Sequence, residues 1–218
     1  MSVSESSLHN YELFDPDVRL MLRVRDDDAA AFEELVLRYQ TRLVSIMQHL
    51  VAVRDQAEDL AQEVFLRVYR ARKRYRPDAK FATWLFTIAN NVASNANRSQ
   101  SRRREVHASN SPGDGSAGIP LEQLAVAASG AMPARRLDKV ERAEIVRQAV
   151  TSLNERQRMA LLLSKFEGMS YAEIAESMGL TIQATKSLLS RARDNLRVLL
   201  EPYIEDGLRP SGGLDNDS

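Results

Sequence analysis

The chain has 218 residues with 30 basic and 30 acidic side chains and no cysteine, so neither a disulfide framework nor a thiolate metal site can form. Its 44% hydrophobic residues suffice for one domain or two small ones. No run approaches the roughly 18 apolar residues of a membrane span, and residues 1–18 carry acids where a signal peptide has basic residues. We therefore expect a cytoplasmic protein without membrane insertion.

The neutral total hides an uneven distribution of charge. Residues 1–63 carry 13 acids and 6 basic residues, whereas residues 64–104 carry 11 basic residues and 1 acid. A basic block of this size is the electrostatic footprint of a nucleic-acid ligand, and the acidic segment favours a second, basic protein partner. The alternative is that both charge runs are only the solvated faces of helices.

Apolar spacing predicts four helices before residue 105. The first two share residues 17–51, where apolar residues recur every three or four positions and the triplet Asp26–Asp28 starts the second helix. A third helix is predicted over 55–75, with Asp55 and Glu58 in a capping-box-like start.

The fourth predicted helix, 80–104, follows the break at Pro77-Asp78. Its spacing is expected to bury Trp84, Leu85, Ile88, Ala89 and Val92. Since no strand-like alternation is present, residues 1–104 are interpreted as a small helical bundle.

The sequence changes character after residue 104. Residues 105–138 begin with Ser, Pro, Gly and Asn and are interpreted as a flexible linker. Helical spacing returns over 139–203, which we take as a second domain, and the acidic tail 204–218 is expected to be disordered.

The second domain contains a helix-turn-helix pattern. Asn154 is the expected N-cap of one helix, and Ser170 and Glu173 have the spacing of a capping box. Gly179 can end that helix in the left-handed conformation, and Thr181 can cap the next. The predicted fold is therefore all-α: two small helical domains joined by a flexible linker, the C-terminal one of the winged-helix-like or homeodomain-like DNA-binding class.

Rotation by about 100° per residue sorts the helix after Thr181 into two sides. The apolar side gathers Ile182, Thr185, Leu189, Ala192, Leu196 and Leu200. The opposite side carries Gln183, Ser187, Ser190 and Arg191, with Lys186 at the boundary. Gln can bond adenine edges, Arg and Lys reach guanine or phosphate, and Ser permits close approach. The alternative is an ordinary helical hairpin with one polar face.

Four segments in order give the chain a family resemblance. They are "FEELVLRYQTRL", "AEDLAQEVFLRVYRA", "FATWLFTIANNVA" and, after the linker, "LNERQRMALLLSKFEGMSYAEIAESMGLTIQATKSLLSRARDNLR". The chain resembles the ECF-type bacterial RNA polymerase sigma factors, whose second and fourth conserved regions these segments match over about two thirds of the sequence. The resemblance implies a transcription initiation factor that is not an enzyme.

The resemblance also implies three sets of binding residues. Core RNA polymerase would be bound by Asp59, Gln62, Glu63 and Arg67. The −10 promoter element would be melted and read by Phe81, Thr83, Phe86, Asn90, Asn91 and Asn95, with Arg98, Arg102, Arg103 and Arg104 on phosphates. The −35 element would be read by Thr181, Gln183, Lys186, Ser187, Ser190 and Arg191.

The expected partners are RNA polymerase core and promoter DNA, with an anti-sigma protein as a further candidate; no cofactor, metal or small-molecule substrate is expected. Trp84 is expected in the core rather than stacked on a base. Two positions depart from the family pattern: Leu188 stands where Arg is frequent and Ser190 where His is frequent. Both departures predict weaker or altered −35 recognition.

Three other classes of protein compete with this interpretation. A self-sufficient helix-turn-helix repressor or activator would bind duplex DNA alone and need a dimer interface or effector pocket within residues 1–104. A response regulator would need alternating strands and helices, which the sequence does not predict. An enzyme is disfavoured because His9, His49 and His107 are scattered and the sequence has no HExxH, P-loop or GxGxxG motif.

Overall fold

The computed structural model describes residues 11, 14–51, 54–109 and 139–205. Side chains are described for these residues except 54–55, 103–109, 139–143 and 204–205. The helices are α1 (Pro16–Arg25), α2 (Ala29–Leu50), α3 (Arg54–Ala71), α4 (Phe81–Ser109), α5 (Lys139–Ser152), α6 (Glu155–Lys165), α7 (Tyr171–Met178) and α8 (Ile182–Glu205). A short 3-10 turn, Arg72–Arg74, follows α3, and the described residues contain no strand.

The first two helices begin at aspartate caps. Asp15 precedes Pro16, the residue type suited to the first helical position, and its Oδ1 accepts from the backbone N–H of Asp17 at 2.9 Å. Asp28 caps α2 by accepting from the N–H of Ala31 at 3.1 Å, which confirms the start predicted at the aspartate triplet.

The first domain packs α2 against α1 and α3, and α4 against α3. Its core is formed by side chains at three-and-four spacing on facing helices: Met21, Leu35, Leu43, Ile46, Met47, Val64, Phe81, Leu85 and Phe86 are each at most 1% exposed. Full burial of such a side chain contributes about 1.5–3 kcal/mol relative to exposure, so this core is the main source of the domain's stability.

Local capping in the second domain agrees with the sequence. Asn154 accepts from the N–H of Gln157 at 2.9 Å, and Ser170 and Glu173 form the complete capping box. Gly179 ends α7 with φ 63°, and Thr181 Oγ1 accepts from the N–H of Ala184 at 3.1 Å. Each of these caps satisfies backbone groups that a helix end leaves without partners, and so helps to set where α6, α7 and α8 begin or end.

Several predicted boundaries shift. Helix α3 begins at Arg54, one residue before the predicted cap Asp55, whose side chain lies outside the described residues. Helix α4 continues to Ser109, five residues into the predicted linker, and α6 ends at Lys165 rather than at Gly168. The remainder of the predicted linker, 110–138, and most of the predicted tail lie outside the described residues.

The two domains pack directly on each other. Helix α7 contacts α4, and α6 contacts α2. Apolar side chains of the second domain join the same buried cluster as the first-domain core: Met159, Leu162, Leu163, Met169 and Ile174. A smaller cluster of Val150, Leu153, Leu161 and Ala192 holds α5, α6 and α8 together.

Candidate functional site

The residues predicted to bind polymerase lie on the outer side of α3. Asp59 and Gln62 are exposed, while Glu63 and Arg67 are partly exposed and form an ion pair one turn apart, with 2.7 Å between Glu63 Oε1 and Arg67 Nε. The hydrogen bond from Arg67 lowers the pKa of the Glu63 carboxyl, so this residue stays charged at neutral pH. The structure therefore places all four side chains at the surface of one helix.

This surface also has an apolar centre that the sequence analysis missed. Leu66 is 49% exposed and, by helical rotation, lies between Gln62 and Glu63 on the outer side of α3. Gln62 and Phe65 border a groove between α2 and α3 that is also lined by Val44. A single exposed Leu is ordinary on a protein surface, but this one lies among the polar residues assigned to the polymerase, where an interface would have its apolar centre. The signal was available, because Leu66 breaks the otherwise polar pattern of this face.

The start of α4 does not present the side chains that were assigned to DNA. Phe81, Thr83 and Phe86 are at most 2% exposed, so in this arrangement a nucleotide base has no access to them. Phe81 packs edge-on against Tyr39, with ring centroids 5.3 Å apart. The prediction that these three residues contact bases does not fit the described structure, in which they are core residues. The physical reason is that α4 is covered on two sides, by α3 and by α7.

The middle of α4 is more accessible. Asn91, Asn95, Arg98 and Arg102 are exposed and Asn90 is partly exposed. The side chains of Arg103 and Arg104 lie outside the described residues. The described part of α4 thus carries amide groups and then guanidinium groups along one surface, in the order suited to base edges followed by phosphates.

Trp84 lies where the sequence analysis placed it. It is partly buried, packs against the first-domain core, and contacts Tyr75 edge-on with ring centroids 4.9 Å apart. Burial raises the pKa of the Tyr75 hydroxyl, which therefore stays protonated. The aromatic pair fixes the turn between the 3-10 segment and α4.

Asp15 is a positioning residue that the sequence analysis missed. One carboxylate oxygen caps α1, while the other, Oδ2, accepts from the backbone N–H of Phe81 at 3.1 Å. A single side chain therefore caps two helices, including the one that carries the candidate −10 residues. The Asp-Pro pair before an amphipathic run signals the first of these caps, but no local pattern signals the second.

The helix α8 presents its polar side to solvent as predicted. All six candidate −35 residues are exposed: Thr181, Gln183, Lys186, Ser187, Ser190 and Arg191. The opposite side is buried through Thr185, Leu189 and Ala192, each fully enclosed. Burial of one side holds the other at a fixed orientation, which is what groove recognition requires.

Two residues of α8 depart from the expected sides. Ile182 was placed on the apolar side but is 49% exposed, because it lies at the first turn beyond the reach of the core. Leu188 is partly buried and packs against the large apolar cluster. Its side chain therefore faces the core, and the departure from the family pattern at this position does not remove a contact from the exposed surface. Ser190 is left as the departure that lies on that surface.

Within the described ranges, no helix combines the length and apolar character needed to cross a membrane. The same residues contain no group of three or more His, Asp or Glu side chains placed to hold a metal ion.

Two family models match the chain, one in each helical domain. Residues 35–103 match the model for sigma-70 region 2, and residues 143–196 match that for sigma-70, region 4. The RNA polymerase sigma-H factor of Pseudomonas aeruginosa is 33% identical, covering 87% of this chain and 96% of the relative. The ECF RNA polymerase sigma-E factor of Escherichia coli K12 is 34% identical, covering 86% and 96% respectively.

Two solved structures share the fold. CnrH, in complex with the cytosolic domain of CnrY, superposes with a TM-score of 0.61 at 23% identity, covering 86% of this chain and 99% of that one. The sigma factor RpoE of Bartonella quintana, in complex with the anti-sigma factor NepR, has a TM-score of 0.56 at 26% identity, covering 78% and 96%.

An all-α protein with a helix-turn-helix and a second helical domain that matches region 2 is a transcription initiation factor, not an enzyme. The chain belongs to the ECF branch of the bacterial RNA polymerase sigma factors. It directs RNA polymerase to promoters and starts DNA-templated transcription.

Proposed function

We propose that this sigma factor divides its work among three surfaces, each on a different helix. The outer side of α3 binds the polymerase core, α4 melts and reads the −10 element, and the N-terminal half of α8 reads the −35 element. The observation that carries the proposal is the exposure of one polar face on both α3 and α8, while the remaining sides of these helices are packed. Because core polymerase and promoter DNA lie in the cytoplasm, the protein works there.

For core binding, we assign the contact to Asp59, Gln62, Glu63 and Arg67 around Leu66. The carboxylates would face a basic surface of the polymerase, and Leu66 would supply the apolar centre. The ion pair between Glu63 and Arg67 holds both side chains in place before the partner arrives.

For the −10 element, we assign the base contacts to Asn90, Asn91 and Asn95 and the phosphate contacts to Arg98 and Arg102, with Arg103 and Arg104 continuing the basic series. Amide side chains can both donate to and accept from an unstacked base. Guanidinium groups bind the phosphates of a melted strand.

For the −35 element, we assign the contact to Thr181, Gln183, Lys186, Ser187, Ser190 and Arg191. The exposed Ile182 adds an apolar group at the tip of the helix, suited to the methyl group of thymine. With Ser190 in place of a larger donor, we expect Gln183 and Arg191 to carry most of the base selection.

Charge reversal on α3 tests the core-binding assignment. The double variant Asp59→Lys/Glu63→Lys should bind core polymerase at least about tenfold more weakly, because like charges across an interface cost several kcal/mol. The control variant Glu33→Lys changes an exposed carboxylate on α2. Affinity is measured by fluorescence anisotropy of labelled sigma factor, and transcription by run-off synthesis from a promoter chosen from genomic fragments.

Normal core binding by the double variant would refute the assignment to α3. Transcription that needs added core is expected from the wild-type chain. Tight, sequence-selective binding of duplex DNA by the purified chain alone would instead indicate a self-sufficient repressor. An anti-sigma protein is a further partner we propose, because the RpoE relative is solved in complex with one.

A further inference from the structure

A dense run of basic residues joins α3 to α4, outside the three surfaces assigned above. Arg72, Lys73, Arg74 and Arg76 lie within five consecutive positions that contain no acid, and three of them form the 3-10 turn. We call residues 72–76 the basic turn. Lys73, Arg74 and Arg76 are exposed, so their charged groups are within reach of a ligand. Clustered guanidinium and ammonium groups are suited to phosphates.

The basic turn adjoins the side of α4 that we assign to the −10 element. Tyr75 contacts Trp84 edge-on, with ring centroids 4.9 Å apart. Rotation by about 100° per residue places Trp84 within about 20° of Asn91, two turns further along the helix. Asn91 begins the row of exposed side chains that continues through Asn95, Arg98 and Arg102. The helix rises about 1.5 Å per residue, so Asn91 lies about 15 Å from its first residue. A strand that follows the row toward the start of α4 therefore arrives at the basic turn.

The carboxylate of Asp27 already occupies part of the basic turn. Its Oδ2 lies 2.5 Å from Lys73 Nζ, and its Oδ1 lies 3.1 Å from Arg72 Nη2. Hydrogen bonds from Lys73 and Arg72 lower the pKa of this carboxyl, which therefore stays charged at neutral pH.

The two cations that hold Asp27 differ in how firmly they are fixed. The Arg72 guanidinium also lies over the ring of Tyr69, 4.0 Å from its centroid, and its Nη1 donates to the Tyr69 carbonyl at 3.0 Å. The side chain of Lys73 is 55% exposed, against 21% for Arg72. Lys73 is therefore the cation that can exchange Asp27 for another anion, while Arg72 keeps the carboxylate in place.

The backbone at Asp27 shows that the carboxylate is not needed for the turn between α1 and α2. Its φ is 69°, and within the ranges that the structure describes it is the one residue other than glycine with a positive φ. Glycine would adopt this conformation without strain. Exposed ion pairs contribute little to stability. The main effect of the carboxylate is therefore expected on the charge of the basic turn.

We propose that the basic turn binds the phosphates of the melted strand next to the −10 bases, and that Asp27 weakens this binding by pairing with Lys73. The strand has to exchange one of its phosphates for the Asp27 carboxylate. This exchange limits the affinity of the turn for nucleic acid of any sequence. The inference rests on the function proposed above for α4.

Binding of fluorescent single-stranded oligonucleotides by the complex with core polymerase tests the proposal. The probes come from the strand of the run-off promoter that the wild-type complex binds more tightly. A short probe covers the −10 element, and two longer probes extend it toward one end or the other by about six nucleotides, or roughly 20 Å.

Neutralising the carboxylate should strengthen binding of the strand that reaches the turn. Asp27→Asn should tighten binding of one extended probe by about three- to fivefold, because it frees Lys73 from an exposed ion pair. The short probe should change by less than about twofold. For the extended probe, the slope of log K against log salt should steepen by roughly 0.7, since one more cation meets a phosphate.

Matched variants separate the charge effect from changes in folding. Asp26→Asn, at the neighbouring exposed aspartate, should leave all affinities unchanged. Asp27→Gly takes the left-handed conformation without strain and should tighten binding as Asp27→Asn does. In a Lys73→Gln background, Asp27→Asn should have no effect, because the carboxylate acts through Lys73. Arg74→Gln/Arg76→Gln should weaken binding of the same extended probe by about fivefold or more.

Equal affinities of the wild type and Asp27→Asn for every probe would overturn the proposal. So would tightening that is the same for short and extended probes, or that persists in the Lys73→Gln background. Tighter binding of core polymerase by Asp27→Asn, with unchanged strand binding, would assign the turn to an acidic protein surface and equally overturn it.

Run-off transcription by the wild type with core distinguishes failure of this proposal from failure of the proposed function. Its absence refutes the function assigned to α4. Its presence, with strand binding that Asp27→Asn leaves unchanged, refutes only the role of the basic turn and Asp27.

Discussion

The two helices assigned to promoter DNA, α4 and α8, differ in how much of their surface is available. Helix α8 packs on one side only, through Thr185, Leu189 and Ala192, and exposes the other. Helix α4 is enclosed over its first turns by its own domain and by α7 of the other, and becomes accessible from Asn90 onward. A duplex reader needs only one open face, and the residues of α4 that we assign to the −10 element lie on the accessible part of that helix.

Ion pairs show how a neutral chain can carry a basic block. The block of residues 64–104 would attract any nucleic acid through its phosphates. Within the first domain, Glu63 pairs with Arg67, and Asp27 pairs with Arg72 and Lys73. Between the domains, Glu173 pairs with Lys80. Part of the positive charge is therefore balanced by carboxylates inside the folded chain.

Removal of the Arg158 guanidinium is expected to have the largest effect on the packing of the two domains. The group donates to four backbone carbonyls at the ends of α2 and α5, those of His49, Val150, Thr151 and Leu153. Arg158→Ala leaves these acceptors without their donor and should lower the free energy of unfolding by about 2–4 kcal/mol. Thermal denaturation should show a melting temperature lower by roughly 5–15 °C.

The matched control for Arg158 is its exposed neighbour Arg156 on the same helix. Arg156→Ala should leave the melting temperature within about 2 °C of the wild type. A similar loss of stability in both variants would mean that charge in this region, rather than the capping of α2 and α5, sets the stability.

Truncation of Arg191 tests the role of α8, the helix whose polar side is exposed. In the complex with core polymerase, Arg191→Ala should weaken binding of a −35 duplex by about 10- to 100-fold, since a well-placed contact to a base edge discriminates by about 1–3 kcal/mol. Single-strand binding and core binding should be unchanged. Electrophoretic mobility shifts with duplex and single-stranded probes measure the difference, and a loss of both activities would point to misfolding rather than to a base contact.

Substitution of Asp15 tests how the enclosed first turns of α4 are held in place. Asp15→Ala removes the cap of α1 and the acceptor for the N–H of Phe81, and should cost about 1–2 kcal/mol of stability. Hydrogen exchange should quicken at the start of α4 but not in α8. The control is Asp26→Ala, which changes an exposed aspartate directly after the end of α1. Hydrogen exchange that changes equally across both domains would contradict a local role for Asp15.

Mildly acidic pH should also weaken the contact between the two domains, and we expect this effect to be smaller than those of the substitutions above. Burial, followed by the neighbouring charges of Arg147 and Arg158, lowers the pKa of His49 below its ordinary value of 6.5. The neutral form is therefore favoured while the two domains are in contact, so the contact has its full strength above pH 6.5 and weakens as the pH drops below it. The loss cannot exceed about 1.4 kcal/mol per pH unit.

In this cysteine-free chain, the exposed positions Glu33 on α2 and Val198 on α8 can be changed to cysteine and labelled with fluorophores. Fluorescence transfer between the two labels, recorded from about pH 7.5 to about pH 5.5, measures this dependence. Transfer should decrease toward the acid end in the parent chain and stay level after His49→Gln. An identical profile with and without His49 would assign the dependence to other groups.

The sequence was sufficient wherever structure depends on near neighbours. The caps at Asp28, Asn154 and Ser170, the left-handed Gly179 and the exposed face of α8 all follow from residue type and helical spacing within about ten positions. The resemblance then identified the family, which the family models and relatives confirm.

The sequence did not predict features that depend on residues far apart in the chain. Thr83 and Phe86 lie away from the apolar stripe of α4 and are buried in the described arrangement, in which α7, some ninety positions later, covers this part of the helix. Asp15 and Arg158 act on backbone groups, which have no sequence signature. Ile182 satisfied the helical spacing but lies at a helix end, where spacing overestimates burial.

The ion pairs around the basic block have a consequence for ionic strength. Four of its eleven basic residues, Arg67, Arg72, Lys73 and Lys80, are held by carboxylates, Arg72 and Lys73 both by Asp27. At most seven are left to displace cations from a single strand, so log K against log salt should fall with a slope no steeper than about −5. Loss of the Lys80–Glu173 pair would release Lys80 and should steepen that slope by roughly 0.7.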